Sequence, residues 1–183
     1  MSDIDLHALA RDVQYLKDRL AILDCISAHA RGHDRHDSDL LTGAYHEDGV
    51  DEHGPVLNLG PKYAAWANAA HAERFSLHTH NITTHTCEID GDVAYAESYV
   101  IACLLTPDET TAIYVSARYV DQLEKRDGVW RILIRRTIND VMMSGDASLL
   151  KNEGFRGYPK GLWSKDDLSY HRPLVAQSPT EVW

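Results

Sequence analysis

A short stretch near residue 30 carries an unusual density of side chains that hold or transfer protons. Because histidine titrates near neutral pH and carboxylates accept protons, such a stretch predicts general acid–base chemistry. The end of a helix needs only a glycine and some polar residues, so a helix exit alone does not explain this density. Within a dozen residues stand His29, Arg31, His33, Asp34, Arg35, His36, Asp37 and Asp39.

Histidines are concentrated in one part of the chain, where nine of the eleven lie between His29 and His85. His78 and His80 fall on one face of a predicted strand, and such a pair is one way to start a metal site. The distance to the next carboxylate, Glu88, does not match the usual cupin spacing. No glycine-rich phosphate loop or nucleophile elbow is present in the sequence. We therefore expect no metal and no cofactor, and keep a metal enzyme as an alternative.

Composition narrows the classes of function. The net charge of −10 and the lack of a basic stripe argue against nucleic acid as a partner. There is no apolar run of about 18 residues and no signal peptide, so we expect no membrane partner and a cytoplasmic location. Three widely spaced cysteines, Cys25, Cys87 and Cys103, fit free thiols in a reducing compartment.

The first half of the chain predicts three helices. A long helix is expected from Asp5 to Gly32, with Gly32 as its stop, and a short one from Ser38. Residues 45–49 are predicted as a turn, and a third helix covers 62–74. In this reading His33 and His36 lie in a solvated turn. The apolar face of the first helix consists of Leu6, Leu9, Val13, Leu16, Leu20 and Leu23.

After Phe75 the hydrophobic period changes to two, which predicts four long strands over 77–90, 93–105, 111–124 and 130–141. Asp-Gly steps at two of the connections indicate hairpins. With short strands at 50–53 and 56–59, the pattern predicts an α+β layout. Glycines and prolines interrupt the chain after Met143. We therefore expect a domain over 1–143 and an extended arm over 144–183 that covers the cavity or a neighbouring subunit.

Five segments share their order and spacing with a known family. They are 30–34 at the end of the first helix, 45–50, His80, 88–94 and 118–132. Together they resemble the SnoaL-like, scytalone-dehydratase-like branch of the nuclear transport factor 2-like superfamily. The resemblance spans about residues 10 to 141. It implies a cone-shaped α+β barrel, in which three N-terminal helices pack on a highly curved antiparallel sheet.

The resemblance also implies the catalytic residues. Several enzymes of this branch use an aspartate just past the first helix and a histidine on the long strand, and Asp34 and His80 match those positions. Another cavity residue precedes the aspartate by five positions, which makes His29 the third catalytic candidate. In some relatives an arginine late in the final strand faces the cavity. Arg135 is the nearest match, with Arg136 open as the alternative. The predicted substrate-binding residues are Tyr45, Trp66, His78 and Arg135.

The implied activity is that of a cofactor-independent lyase. His80 would abstract a proton, Asp34 would fix its tautomer, and His29 or Tyr45 would protonate the departing oxygen. The substrate is expected to be a small hydrophobic molecule, aromatic or polycyclic. The same groups fit retro-aldol carbon–carbon cleavage, an isomerase, or a non-catalytic binding protein. A homodimer or homotrimer is expected, because the outer face of the sheet needs cover.

Overall fold

The computed structural model describes residues 5–183, which form three helices, one six-stranded sheet and an irregular C-terminal segment. The predicted α+β layout, with three helices preceding the long strands, is confirmed. The helices are α1 (Leu6–Asp34), α2 (Ser38–Gly43) and α3 (Gly60–Arg74). The strands are β1 (Tyr45–His53), β2 (Val56–Leu59), β3 (Leu77–Asp90), β4 (Val93–Leu105), β5 (Thr111–Arg126) and β6 (Val129–Asp146).

The highly curved sheet of the predicted cone is mixed and open, whereas an antiparallel sheet was expected. Its strand order is β2-β1-β6-β5-β4-β3, so β2 and β3 are free edges. Strands β3 to β6 form the predicted antiparallel meander, but β1 pairs with β6 in parallel. Residues 45–49, predicted as a turn, begin β1 instead. Tyr45 and His46 are buried there, and a register shift between Tyr45 and Val50 absorbs the irregularity.

The long helix α1 buries a different part of its length from the one predicted. The predicted apolar stripe of its first half is exposed, with Leu6 71% and Leu16 63% accessible. Its last turns are buried instead, which brings Ile26 and its neighbours against the sheet. Gly32 lies inside α1 and does not end it. A Cβ there would meet Leu41 Cγ and N at 2.9 Å, so Gly32 permits close contact between α1 and α2.

The core lies between the helices and the inner face of the sheet. Ile22 and Ile26 of α1 pack there with Tyr63 of α3 and with the strand residues Val100 and Leu123. Period-two alternation places the other side chains of each strand on the outer face. Several of these are apolar and exposed, namely Tyr95, Tyr99, Ile101 and Tyr114.

The C-terminal segment runs back over the end of α1. It contains three short 3-10 helices, Ser148–Lys151, Glu153–Phe155 and Leu168–Tyr170. The indole of Trp163 stacks on His36 with ring centroids 4.0 Å apart, and the Tyr170 hydroxyl donates to Asp37 Oδ2 at 2.7 Å. These contacts leave His36 half-buried, so it lies in a turn as predicted, but that turn is less solvated than expected. None of the helices within residues 5–183 is long and apolar enough to cross a membrane.

Candidate active site

Asp34 and His80 are in direct contact where the end of α1 meets edge strand β3. His80 Nδ1 lies 2.8 Å from Asp34 Oδ1, and the backbone N–H of His80 donates to Asp34 Oδ2 at 2.9 Å. The side chain of Asp34 is only 13% exposed and that of His80 only 9%. A carboxylate accepts hydrogen bonds only, so this contact holds the proton of a neutral His80 on Nδ1. Nε2 is then left as the basic nitrogen, and it makes no hydrogen bond within residues 5–183.

An open groove of about 500 Å³ borders this pair. It runs between α1 and β3, and the C-terminal segment holds two arginines on its wall. Arg31 donates to the carbonyl oxygen of Ser169 at 3.3 Å, and Arg35 pairs with Asp167 at 3.2 Å. The groove is lined by Ser27, Ala30, Arg31, Asp34, Arg35, His80, Asn81 and Ile82.

A second pocket, more apolar and about 370 Å³ in volume, lies between the ends of β3 to β5 and the C-terminal segment. Leu77, Leu105 and Trp183 contribute to its wall. It reaches His78 but touches neither Asp34 nor His80. Since a base must come within hydrogen-bond reach of the proton it removes, the groove beside His80 is the better candidate for a reaction site.

A chain of buried polar side chains crosses the interior behind the groove. Arg135 is fully buried and donates twice to Asp121, each time at 2.7 Å. Its third contact is with His29 Nδ1 at 2.8 Å, and His29 Nε2 lies 3.1 Å from the Tyr45 hydroxyl. That hydroxyl donates to Asp51 Oδ2 at 2.6 Å. The structure thus brings together three predicted site residues, with Asp121 and Asp51 at the two ends.

The hydrogen bonds of this series of buried side chains can be assigned in one consistent direction. An arginine can only donate, so His29 Nδ1 accepts and its proton sits on Nε2, from which it donates to Tyr45. Burial, together with the charge of Arg135, lowers the pKa of His29 well below its usual value. Burial raises the pKa of Tyr45 well above its usual value. Both side chains are therefore neutral and fully engaged, which favours a positioning role over the proton donation expected of them.

The choice between Arg135 and Arg136 follows from the alternation of side chains along β6. Arg135 points inward and is fully buried, whereas Arg136 points outward and pairs with Glu52. The partner of Arg135, Asp121, was missed in the sequence. The available signal was a single carboxylate on the inward face of β5, between the apolar side chains of Tyr119 and Leu123.

Trp66 lies on α3 and is partly buried against the hydrophobic core. Its ring centroid is 5.7 Å from that of Tyr63 and 5.7 Å from that of His53. Within residues 5–183 its ring contacts do not include His80. The structure therefore places Trp66 with the aromatic core and not directly beside the Asp34–His80 pair.

His78 belongs to a cluster of histidines beside the pair. His33, predicted to be solvated, is 1% exposed and hydrogen-bonds to the Tyr63 hydroxyl at 2.9 Å. The prediction is wrong because α1 extends past Gly32 and is covered by α3 and the sheet. His71 of α3 completes the cluster, with its ring centroid 4.4 Å from that of His78. Burial lowers the pKa of His71 to about 3 and that of His78 to about 2.

Solved structures with the same fold include elimination enzymes. A type 2 hexachlorocyclohexane dehydrochlorinase superposes with a TM-score of 0.68 at 23% identity, over 73% of this chain and 93% of that one. A putative scytalone dehydratase from Novosphingobium aromaticivorans DSM 12444 gives a TM-score of 0.64 at 18% identity, over 73% and 90%. Identities this low establish the fold alone.

Another solved structure and a family model are more similar to this sequence. A protein of unknown function from Mycobacterium tuberculosis is 31% identical, over 70% of this chain and 75% of that one, with a TM-score of 0.61. Among curated proteins no sequence matches significantly. The family model of the SnoaL-like domain matches residues 14–136, which is most of the chain. The chain therefore belongs to the SnoaL-like family and has the cone-shaped α+β fold of nuclear transport factor 2-like proteins.

Proposed function

We propose that this chain is a lyase that uses His80 to remove a proton from a small hydrophobic molecule, aromatic or polycyclic. Asp34 orients the base, and a leaving group departs from the neighbouring carbon. The observation that carries this proposal is the double contact of Asp34 with His80, which leaves Nε2 as the free basic nitrogen beside the groove. The dehydrochlorinase and the putative dehydratase are named for eliminations, which supports the same reaction class.

The reaction begins when Nε2 takes the proton from a carbon that a neighbouring electron-withdrawing group has acidified. The electrons of that C–H bond form the new double bond, and the leaving group departs with its own bonding pair. Asp34 stabilises the imidazolium formed on His80. Such a base is worth about 10²–10⁴-fold in rate. The step uses the base, its carboxylate partner, an acidified carbon and a leaving group on the neighbouring carbon.

The surroundings favour a leaving group that is stable as an anion. His29 and Tyr45, the two expected proton donors, are buried and already hydrogen-bonded on their polar atoms. Arg31 and Arg35 line the same groove and supply positive charge to a departing anion. A chloride needs no proton when it leaves, so this arrangement favours it over hydroxide.

An isomerase is the second candidate. The observation that favours it concerns the predicted proton donors: within residues 5–183, His29 and Tyr45 are both already hydrogen-bonded. The imidazolium of His80 is then the nearest group able to return a proton. Returning that proton to another carbon moves a double bond without loss of a leaving group. A binding protein with the same groove is the non-catalytic alternative.

Mass spectrometry of reaction products distinguishes these functions. The purified protein is incubated with small ring compounds that carry chloride or hydroxyl next to an acidic C–H, including hexachlorocyclohexane. Elimination removes HCl or water, isomerisation leaves the mass unchanged, and a binding protein gives no product. His80→Gln is expected to lower turnover by about 10²–10⁴-fold. The matched control is His85→Gln, which alters another histidine of β3, bound to Ser98 Oγ at 2.8 Å. Full turnover by His80→Gln contradicts the proposal.

Three further proposals concern assembly, covering and location. The exposed apolar side chains of the outer sheet face, such as Ile101 and Tyr114, support a homodimer or homotrimer, which sedimentation measures directly.

The contacts of Trp163 and Tyr170 with the end of α1 support a covering role for the arm over 144–183. The three free cysteines support a cytoplasmic location.

A further inference from the structure

Three histidines beside the Asp34–His80 pair have buried ring nitrogens without a hydrogen-bond partner. They are His33 on α1, His71 on α3 and His78 on β3. In each, Nδ1 is inaccessible to solvent and has no partner within residues 5–183. Buried polar atoms in folded proteins are almost always satisfied, so three unpaired nitrogens in one cluster require an explanation.

The three side chains bring ring nitrogens close to one another. One ring nitrogen of each lies within 4.8 Å of one from each of the other two. A tetrahedral zinc ion, with Zn–N distances of about 2.0–2.1 Å, holds its nitrogens roughly 3.3 Å apart. Binding an ion would require the three nitrogens to move closer together, and His71 is the least constrained of the three because it is only half-buried.

In His33 and His78 the second ring nitrogen, Nε2, already makes a hydrogen bond of the kind that it makes in metal sites. His78 Nε2 donates to the carbonyl oxygen of His33 at 2.8 Å, which leaves the lone pair on Nδ1. His33 Nε2 contacts the Tyr63 hydroxyl at 2.9 Å, and that hydroxyl lies 3.4 Å from His53 Nδ1. When Tyr63 donates to His53, it accepts from His33 Nε2–H, and His33 Nδ1 is also free to bind a metal. Ligating histidines commonly use their second nitrogen in this way.

We propose that His33, His71 and His78 bind one divalent transition-metal ion of the zinc class. Imidazole nitrogens suit such ions, and three of them leave a fourth position for water or another ligand. The ion would join α1, α3 and β3. Since Asp34 follows His33 and His80 lies two residues after His78, it would hold the two elements of the catalytic pair together. This inference does not depend on the proposed elimination.

A second set of possible ligands overlaps the first. Asp34, His78 and His80 also offer atoms within 4.8 Å of one another. However, both carboxylate oxygens of Asp34 already accept a hydrogen bond from His80. The nitrogens of His33 and His71 lose no hydrogen bond by binding a metal. The three-histidine set is therefore favoured.

The test is metal binding by the full chain after removal of any affinity tag and treatment with a chelator. Zinc is titrated by calorimetry, its stoichiometry is measured by elemental analysis, and cobalt is used as a spectroscopic probe of tetrahedral geometry. We expect one ion per chain. His71→Gln is expected to weaken zinc binding by more than about 100-fold, and Tyr63→Phe by about 10–100-fold, the usual effect of removing an outer partner. The control His85→Gln should bind as the unaltered chain does, and Asp34→Asn should keep stoichiometric binding.

Two results would overturn the assignment. One is a chain that takes up no stoichiometric zinc or cobalt. The other is unchanged affinity in His71→Gln, whether binding is lost in Asp34→Asn, which would assign the ion to the overlapping set, or is retained there. Circular dichroism of each variant confirms folding. Because every readout is binding, the assignment stands or falls separately from the catalytic proposal.

Discussion

Asp34 binds His80 with both of its carboxylate oxygens, one through the ring Nδ1 at 2.8 Å and the other through the backbone N–H at 2.9 Å. The side-chain contact sets the tautomer of the ring, and the backbone contact fixes the end of α1 against the register of β3. One carboxylate thereby connects the orientation of the base with the packing of two elements that are distant in the sequence.

The first prediction concerns Asp34→Asn. An amide offers only one acceptor and turns an N–H toward one of the two donors of His80, so the ring loses its fixed tautomer. Turnover should fall by about 10²–10⁴-fold. The rate is compared with that of Asp39→Asn, which alters an exposed aspartate of α2. Equal rates for the two variants would remove Asp34 from the mechanism.

The second prediction concerns the buried ion pair of Arg135 and Asp121. Asp121→Asn leaves the guanidinium of Arg135 without its compensating charge in a fully buried site. The free energy of unfolding should fall by about 3–5 kcal/mol, measured by urea denaturation. Glu97→Gln is the control, because its contact with Arg118 is partly exposed and should contribute less than about 1 kcal/mol. Similar losses in both variants would contradict the assignment.

The third prediction concerns Gly32, where α1 and α2 are in close contact. In Gly32→Ala the new methyl group would lie 2.9 Å from Leu41, which forces the two helices apart. Overpacking of this kind costs about 1–3 kcal/mol and outweighs the helical preference of alanine, about 1 kcal/mol. Gly43→Ala, at a site with no atom within 4 Å, should keep or raise the melting temperature. A more stable Gly32→Ala variant would show that this contact is not tight.

The fourth prediction concerns pH. Burial raises the pKa of Asp51 from 3.8 to about 6, so the folded protein holds this proton at pH values where the unfolded chain releases it. The resulting stabilisation is complete below about pH 4 and is lost as the pH rises through 6, by up to about 3 kcal/mol. The Asp51→Asn variant has no titrating carboxyl group at this position, so it does not lose this stabilisation as the pH rises. Its unfolding free energy, relative to that of the unaltered chain, should rise between about pH 4 and pH 6 and then level off. Parallel pH profiles for the two proteins would refute this.

Local sequence patterns correctly predicted the structural features that depend on residues close together along the chain. Strands β3 and β4 begin and end at the predicted residues, since alternation and an Asp-Gly turn are local signals. The contact between Asp34 and His80 was expected only through the family resemblance. The parallel pairing of β1 with β6 was not expected, because the partner of Tyr45 is Ile132, far along the chain.

Burial of polar residues was the harder feature to predict. His33 follows a glycine near a helix end and has the local pattern of a solvated turn. Its burial depends on Tyr63 and on the strand that carries His78, neither of which a local pattern includes. The covering of His36 by Trp163 depends on a C-terminal segment whose sequence has no regular period. Such contacts become visible only when the three-dimensional arrangement is known.

The most direct test of the catalytic claim is a double-mutant cycle on turnover with His80→Gln, Asp34→Asn and the two combined. If Asp34 acts only by orienting and stabilising the imidazole, it has nothing left to do once that ring is gone. The combined variant should then be as slow as His80→Gln alone. Losses that multiply in the combined variant would show that the two residues act independently, and would contradict the catalytic pair.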